Sequence, residues 1–315
     1  MRIYDAVVIG DVNIDLVVEG FSQVPQPGQE IFVDRMTMHV GGGAALFAVS
    51  LAKLGIRVAF NGVLGDDNYG QYIRERFEQY GIDTRMIRNS DINNTGISIA
   101  FNPETDRSFI TYAGSNAELR MDILDFDAIA QGRHVHITGY RGRRNHDQYV
   151  EMTKELKARG VSLSCDVGWD DSGEWDDGIF ELMQDIDVFL MNETEAQHYT
   201  GLSNIEDCIR HIGKYCEHVV IKLGAEGAIA LKDNVLSRLH GYSVVAVDTT
   251  GAGDSFNAGY LFGFLNGQDV ETSLQYGNAC GALSVGSLGG STGTPDLEGL
   301  KAFLREHEDE QEVRT

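Results

Sequence analysis

Positive charge is scarce in this chain. Its 315 residues carry 25 lysines and arginines against 48 aspartates and glutamates, a formal net charge of −23. Nucleic-acid backbones and anionic membrane surfaces are bound by clustered Lys and Arg, so the charge balance argues against both partner classes. Cysteine is scarce too. Cys165, Cys208, Cys216 and Cys280 show no Cys-x-x-Cys spacing. They read as reduced, buried thiols and not as a disulfide framework. No apolar run approaches the ~20 residues of a membrane-spanning helix. The start, MRIYDAVVIG, enters a strand at once and lacks the apolar core of a secretory signal. A cytoplasmic location is expected. Two nucleotide-binding signatures are missing as well: there is no GxxxxGK[ST] loop and no full GxGxxG after a strand. A P-loop or dinucleotide fold is therefore disfavoured.

Glycine, by contrast, is plentiful at 37 residues, and hydrophobic residues make up 42%. Both suit an α/β enzyme with many tight loops. Strand-like runs fall at residues 6–10, 58–64, 135–138, 161–166, 188–191, 219–222 and 228–231. Helical periodicity falls at residues 44–54, stopped by Gly55, at 69–80, closed by Gly81, and at 149–159, stopped by Gly160. Such alternation predicts a mostly parallel central sheet with helices on both faces. Ligands of such sheets sit beyond the carboxyl ends of the strands. Asn13, Asp15, Arg141, Asp166, Asn192, Gly224 and Asp254 are all expected there. Residues 12–40 and 95–113 instead alternate with period two, as in Gly96-Ile97-Ser98-Ile99-Ala100-Phe101. They predict a small antiparallel β lid over the strand ends. No linker or repeat divides residues 1–315, which read as one domain.

The run VDTTGAGDSFNAGYLFGFL, residues 247–265, is the most informative. A β-rich stretch at 244–247 enters a turn, Gly251-Ala252-Gly253, and Asp254 follows as an apolar helix begins. Glycines permit close approach, and free N–H groups at a helix start attract anions. A carboxylate held beside that anion can take the proton from an attacking hydroxyl. Together these are the parts phosphoryl transfer needs. A glycine turn with a capping aspartate is the plainer reading of the same residues.

DTTGAGDSF at 248–256, NETE at 192–195, the glycine pair opening the helix at 41–55 and Gly-Asp-x-Asn-x-Asp at 10–15 occur together. In this combination the chain resembles the ribokinase-like carbohydrate kinases of the PfkB family over essentially its whole length. The resemblance implies an ATP-dependent kinase that phosphorylates a hydroxyl of a sugar-like substrate beneath a β-sheet lid. It implies Asp254 as catalytic base and Gly251, Ala252 and Gly253 as anion hole. It implies Asn192 and Glu195 in Mg²⁺ and phosphate handling, Glu195 reaching the metal through water. As a plain structural pattern, Asn192 and Glu195 are a helix cap. Lys222, Gly224 and Gly227 resemble the triphosphate and ribose loop, and Asn278 falls near the position that borders adenine. Asp248 and Thr250, with Ser284, Ser287 and Gly289, resemble the K⁺ site found in part of the family.

On the acceptor side the resemblance assigns Asn13 and Asp15 to sugar hydroxyls, read as the end of the first strand. Gly42 and Gly43 then let backbone approach the substrate. Leu46 stands where relatives usually carry an asparagine, which removes an amide from the acceptor pocket. Arg141, in Gly139-Tyr140-Arg141-Gly142-Arg143-Arg144, is a candidate for an anionic substrate group, and Arg107 in the lid loop is another. Arginine forks bind carboxylate or phosphate in bidentate fashion. The same loop reads equally as a solvated face paired with nearby acids. His134 and His136 alternate on a strand but lack a third ligand nearby, so they read as structural. The alternatives are a nucleoside kinase, which Leu46 and Phe47 would suit, and a ligand-binding relative without turnover. Exposed lid strands are expected to pair across a homodimer.

Overall fold

Alternate strand residues feed two separate cores. In β1 (Tyr4–Ile9), Val7 and Ile9 face one side of the sheet, and Ala6 and Val8 face the other. In a computed structural model, which describes residues 2–102, 108–170, 172–287 and 289–308, this pattern closes a sheet covered on both faces. The remaining strands are β2 (Asn13–Glu19), β3 (Arg35–Gly41), β4 (Val58–Asn61), β5 (Val63–Gly65), β6 (Arg88–Ser90), β7 (Gly96–Asn102) and β8 (Ser108–Tyr112). They continue with β9 (Gly132–Ile137), β10 (Ser162–Asp166), β11 (Val188–Asn192), β12 (His218–Lys222), β13 (Ala228–Lys232) and β14 (Val235–Leu239).

The main sheet has eight strands in the order β14-β13-β12-β11-β10-β9-β1-β4. It is parallel from β4 to β12, and β13 and β14 add an antiparallel edge. The lid is a separate four-stranded sheet, β3-β2-β7-β8. Two antiparallel hairpins meet in it through a parallel pairing of β2 with β7.

Three boundaries differ from the sequence reading. The expected strand 58–64 breaks at Gly62, and β5 leaves the main sheet to pair with β6. The β-rich stretch at 244–247 is not a strand. The N–H groups of Val247 and Asp248 donate to the Val285 carbonyl, beyond the end of the Val270–Ser284 helix. Asn13 and Asp15 do not end β1; they begin the first lid strand, β2. β-propensity and strand order both depend on which neighbour is available for pairing. The charged tail from residue 309 on lies outside the described residues.

The helix Ala252–Leu265 packs closely on Val270–Ser284 because glycines line the contact. A Cβ on Gly259 would lie 2.4 Å from the Tyr276 carbonyl oxygen. This contact brings the mouth of one helix and Asn278 of the other to the same end of the sheet.

Candidate active site

Gly251 caps the Ala252–Leu265 helix in a left-handed conformation, φ 73°. A Cβ there would meet the Gly290 carbonyl at 2.8 Å, so the turn depends on glycine. The first helical bond runs from Ser255 N–H to the Gly251 carbonyl at 2.9 Å. The N–H groups of Gly253 and Asp254 are therefore left at the helix mouth, where an anion is favoured. Asp254 sits in that first turn, and Lys222 reaches it from the end of β12: a Cβ on Gly253 would lie 3.5 Å from Lys222 Nζ.

Behind the mouth lies a buried charge cluster. Lys222 Nζ donates to Asp166 Oδ2 at 2.8 Å. Asn257 Nδ2 donates to the same oxygen, and Gly168 N–H donates to Oδ1 at 3.3 Å. Burial works against charge on Asp166, but Lys222 outweighs it and holds the carboxyl below its ordinary range. Burial likewise works against the ammonium of Lys222, and Asp166 and Glu195 more than compensate. Glu195 is pushed up to about 7 by burial and by the Asp166 carboxylate. Asp254 is raised well above its ordinary value, chiefly by burial, then by Asp166, with Lys222 opposing.

Asn192 and Glu195 form a reciprocal cap. Asn192 N–H donates to Glu195 Oε2 at 2.7 Å, and Glu195 N–H donates to Asn192 Oδ1 at 2.9 Å. The capping pattern thus holds as geometry. It also fixes a buried carboxylate beside Asp166 and Lys222.

A cavity of about 520 Å³ opens next to the helix mouth. Lys222, Gly224 and Gly253 line it together with the apolar side chains of Val244, Phe256 and Val285. Gly227 and Asn278 line it as well, the latter donating to the carbonyls of Leu239 and His240 at 3.2 and 3.1 Å. Gly227 must be glycine: its φ is 96°, and a Cβ would lie 2.1 Å from the Leu239 carbonyl oxygen.

Among the residues expected to meet the acceptor, Asn13 Nδ2 donates to Asp15 Oδ1 at 2.7 Å. Burial pushes Asp15 up to about 6. Gly42 and Gly43 are split in use. The space a Cβ on Gly42 would take belongs to the backbone of Asp11 and Val12, whereas Gly43 faces Asp254 Oδ1, 3.4 Å from where its Cβ would be. Leu46 is buried against Gly251 and Gly290, on the anion-mouth side of the same helix. Arg141 is exposed at the end of β9, its N–H donating to Asn145 Oδ1 at 2.8 Å. Arg107 lies outside the described residues.

Asp248 gathers the candidate cation loop. Its carboxylate accepts from Thr250 N–H at 2.8 Å and Gly289 N–H at 2.9 Å. The Ser284 carbonyl faces Gly293, 2.3 Å from where a Cβ would be, and the Ser284 hydroxyl is turned back to the Gly281 carbonyl. Ser287 is half-buried just past the end of the Val270–Ser284 helix. His134 bonds the hydroxyls of Ser162 and Ser164 at 2.8 and 2.7 Å, and His136 bonds Ser164 at 2.8 Å. Both rings are buried and held neutral, at about 4 and about 3, mainly by that burial. They are structural, and no cluster of three or more metal-ligating side chains occurs among the described residues.

The sequence reading gave no role to Asp11, Asp166 or Asn257. Asp166 was visible as a polar residue at a strand end. Asp11 stood in plain view inside the Gly10 to Asp15 run. Asn257 had no sequence signal, because its bond to Asp166 spans 91 positions.

Residues 4–297 match the family model of the pfkB family carbohydrate kinases, and the chain belongs to that family. The ATP-dependent ribose-1-phosphate kinase of Halopiger xanaduensis is 30% identical, the match covering 95% of this chain and 98% of that protein. The ribokinase of Haemophilus influenzae is 28% identical over 94% of this chain and 97% of that protein. Among solved structures, Arabidopsis thaliana ribokinase complexed with ribose and ATP aligns with a TM-score of 0.84, 26% identity and 96% coverage, 99% of that chain. An E. coli ribokinase II candidate complexed with ATP and Mg²⁺ aligns with a TM-score of 0.86, 25% identity and 97% coverage, 100% of that chain.

The buried ion pair generates a stability prediction. Lys222→Met leaves Asp166 charged and without its cation, which is expected to cost about 3–5 kcal/mol. Adding Asp166→Asn should recover part of the loss. Urea denaturation of the two variants checks both points; a Lys222→Met protein within about 1 kcal/mol of wild type would show that the pair carries little.

Proposed function

We propose that Asp254 is the general base of an ATP-dependent phosphoryl transfer to a hydroxyl of a sugar or sugar derivative. One observation carries this reading: the Asp254 carboxylate stands in the first turn of an anion-binding helix mouth and faces Gly43 of the acceptor wall. The acceptor oxygen attacks the γ-phosphorus, the bond to the ADP oxygen breaks, and the hydroxyl proton passes to Asp254. The transition state is loose, so positioning and charge stabilisation dominate. Backbone N–H groups of the 251–253 turn and the Lys222 ammonium supply that stabilisation. The cavity lined by Gly224, Gly227 and Asn278 takes the nucleotide.

Mg²⁺ prefers oxygen ligands and keeps several waters. Glu195, Asp166 and Asp254 offer oxygens and outnumber the Lys222 charge, which suits a hydrated cation held through water by Glu195 and Asn192. When bound, that ion neutralises phosphate charge. We assign K⁺ to the loop of Asp248, Thr250, Ser284, Ser287 and Gly289; its support is the Asp248 carboxylate, which gathers the N–H groups of Thr250 and Gly289.

We read residues 1–315 as one cytoplasmic kinase domain whose lid, near 12–40 and 95–113, also forms a homodimer. The lid exposes Met36, Phe109 and Ile110, with Ile110 62% exposed. For the acceptor, an anionic substituent at Arg141 is favoured. Asn145 pins the backbone of that loop from both ends, through Arg141 N–H and the Gly139 carbonyl, and Arg143 pairs with Asp176 at 2.5 Å. Arg141 is thereby presented on a fixed frame, and one relative is named for a sugar phosphate. The buried apolar side chain of Leu46 favours a nucleoside as the second reading.

Asp254→Asn should keep the fold and ATP binding and lose at least about 100-fold in kcat, read as ADP release with pooled sugars; EDTA should silence the wild type in the same assay. Retention of a tenth of wild-type kcat, a barrier change of only ~1.4 kcal/mol, would refute Asp254 as the base.

Arg141→Ala should raise KM for the best acceptor by roughly one to two decades and spare KM for ATP, the loss of a charge-assisted bond worth ~1.5–3 kcal/mol. Arg141→Lys should recover little of a bidentate contact. Should a neutral nucleoside prove the best acceptor and Arg141→Ala match wild type, the second reading replaces the first.

Sedimentation should show a dimer that Ile110→Lys dissociates, because a charge on the apolar lid face opposes its burial; a wild-type monomer at micromolar concentration overturns the lid interface.

A further inference from the structure

The helix Gly43–Lys53 is capped from 32 positions upstream. Its own cap residue, Gly42, has no side chain to offer. Asp11 takes that role. Its Oδ2 accepts from Gly43 N–H at 3.0 Å, its Oδ1 from Ala44 N–H at 3.2 Å, and its carbonyl from Ala45 N–H at 3.3 Å. The Thr138 hydroxyl at the end of β9 donates to Oδ1 at 3.4 Å. One residue between β1 and β2 therefore satisfies the first three N–H groups of the helix, which a helix cannot satisfy itself. Gly42 makes this approach feasible: a Cβ there would lie 2.8 Å from the Asp11 carbonyl oxygen and 2.9 Å from Val12 Cα.

The open side of Gly43 looks onto two carboxylates. A Cβ at Gly43 would lie 3.4 Å from Asp254 Oδ1 and 3.9 Å from Asp11 Oδ1. Asp15 borders the same wall across Gly41, close enough that any Cβ on that glycine would overlap its carboxylate. A glycine-flanked helix mouth ordinarily receives a ligand's anion. Here the chain's own carboxylate holds the place. The other charged groups around Asp254 are Asp166, Glu195 and Lys222, and Lys222 is committed to Asp166. An anionic group entering in front of Gly43 meets like charge in a partly desolvated pocket, whereas a hydroxyl meets acceptors.

We propose that Asp11 sets the charge class of the acceptor's reacting end: it fills the amide nest of the Gly43–Lys53 helix and confines that end to an uncharged, hydroxyl-bearing group, with any anionic substituent directed away toward Arg141. The assignment rests on the kinase reading above. Asp11 acts by holding the helix mouth and by its field, as a positioning and specificity residue.

The test compares the full-length wild type with Asp11→Asn and Asp11→Ser. Inorganic phosphate is titrated calorimetrically into each protein, with a non-hydrolysable ATP analogue and Mg²⁺ saturating the 251–253 mouth. Phosphate held at Arg141 is common to all three and cancels in the comparison. The variants should bind phosphate at least about tenfold more tightly than wild type, because both lose the like charge and each gives up at least one of the two side-chain oxygens that hold Gly43 N–H and Ala44 N–H. In the kinetic arm, Asp11→Asn should raise KM for a neutral sugar while KM for ATP stays within about twofold. It should also shift kcat/KM toward a sugar acid over the neutral sugar of the same configuration. A purely structural cap would lower stability without changing that charge preference. Asn keeps one acceptor oxygen for the helix, so this variant carries the test if the serine variant melts early. Equal phosphate affinity and an unchanged charge preference in folded Asp11→Asn would overturn the proposal. Phosphate gained by the variants of a protein that turns over no acceptor would instead remove the kinase reading and leave the capping role standing.

Discussion

The contact on which the site depends is the buried pair between Lys222 and Asp166. Lys222 leaves β12 and Asp166 leaves β10, so the pair crosses β11 at the carboxyl edge of the sheet. Without the ammonium, Asp166, Glu195 and Asp254 would form an uncompensated group of carboxylates in a place poor in water. With it, Asp166 stays ionised while Glu195 and Asp254 keep raised proton affinities. The same ammonium lies beside Gly253 at the mouth of the Ala252–Leu265 helix. A pair that is costly to bury thus prepares the site for a polyanion.

Backbone proximity is the second constraint. Gly251, Gly42 and Gly227 each stand where a side chain would strike a backbone atom. Each lets one segment close on another: the anion mouth on the Gly290 loop, the Gly43–Lys53 helix on Asp11, and the wall of the nucleotide cavity on the end of β14. These positions tie the proposed acceptor wall, phosphate mouth and nucleotide slot to one edge of one sheet. Close packing of Gly259 on Tyr276 carries the arrangement to the next helix and fixes Asn278.

Much of this was legible in the sequence because it is local. The 251–254 turn, the cap of Asn192 and Glu195, and the period-two runs of the lid are read from neighbouring residues, and local geometry follows from local chemistry. Alternation of strand and helix likewise implied a parallel sheet with its ligands at one edge. The family resemblance then placed Gly224, Gly227 and Asn278, none of which has a distinctive local signal, and all three line the cavity.

Tertiary structure decided what depends on pairing between distant segments. The stretch at 244–247 has strand composition, yet Val247 bonds the Val285 carbonyl and Val244 and Ala246 line the cavity. Asn13 and Asp15 belong to the lid because the chain leaves the main sheet at Gly10, a choice set by pairing with β3 and β7. Asp166 joined Lys222 and Asn257 across 56 and 91 positions. Asp11 became a helix cap only when the turn after β1 met Gly42. The sequence by itself determined the turn chemistry, the caps and the alternation, since those interactions lie within a few residues. The electrostatics of the site and the ownership of each amide were settled by folding, since burial and long-range approach exist only in the assembled chain.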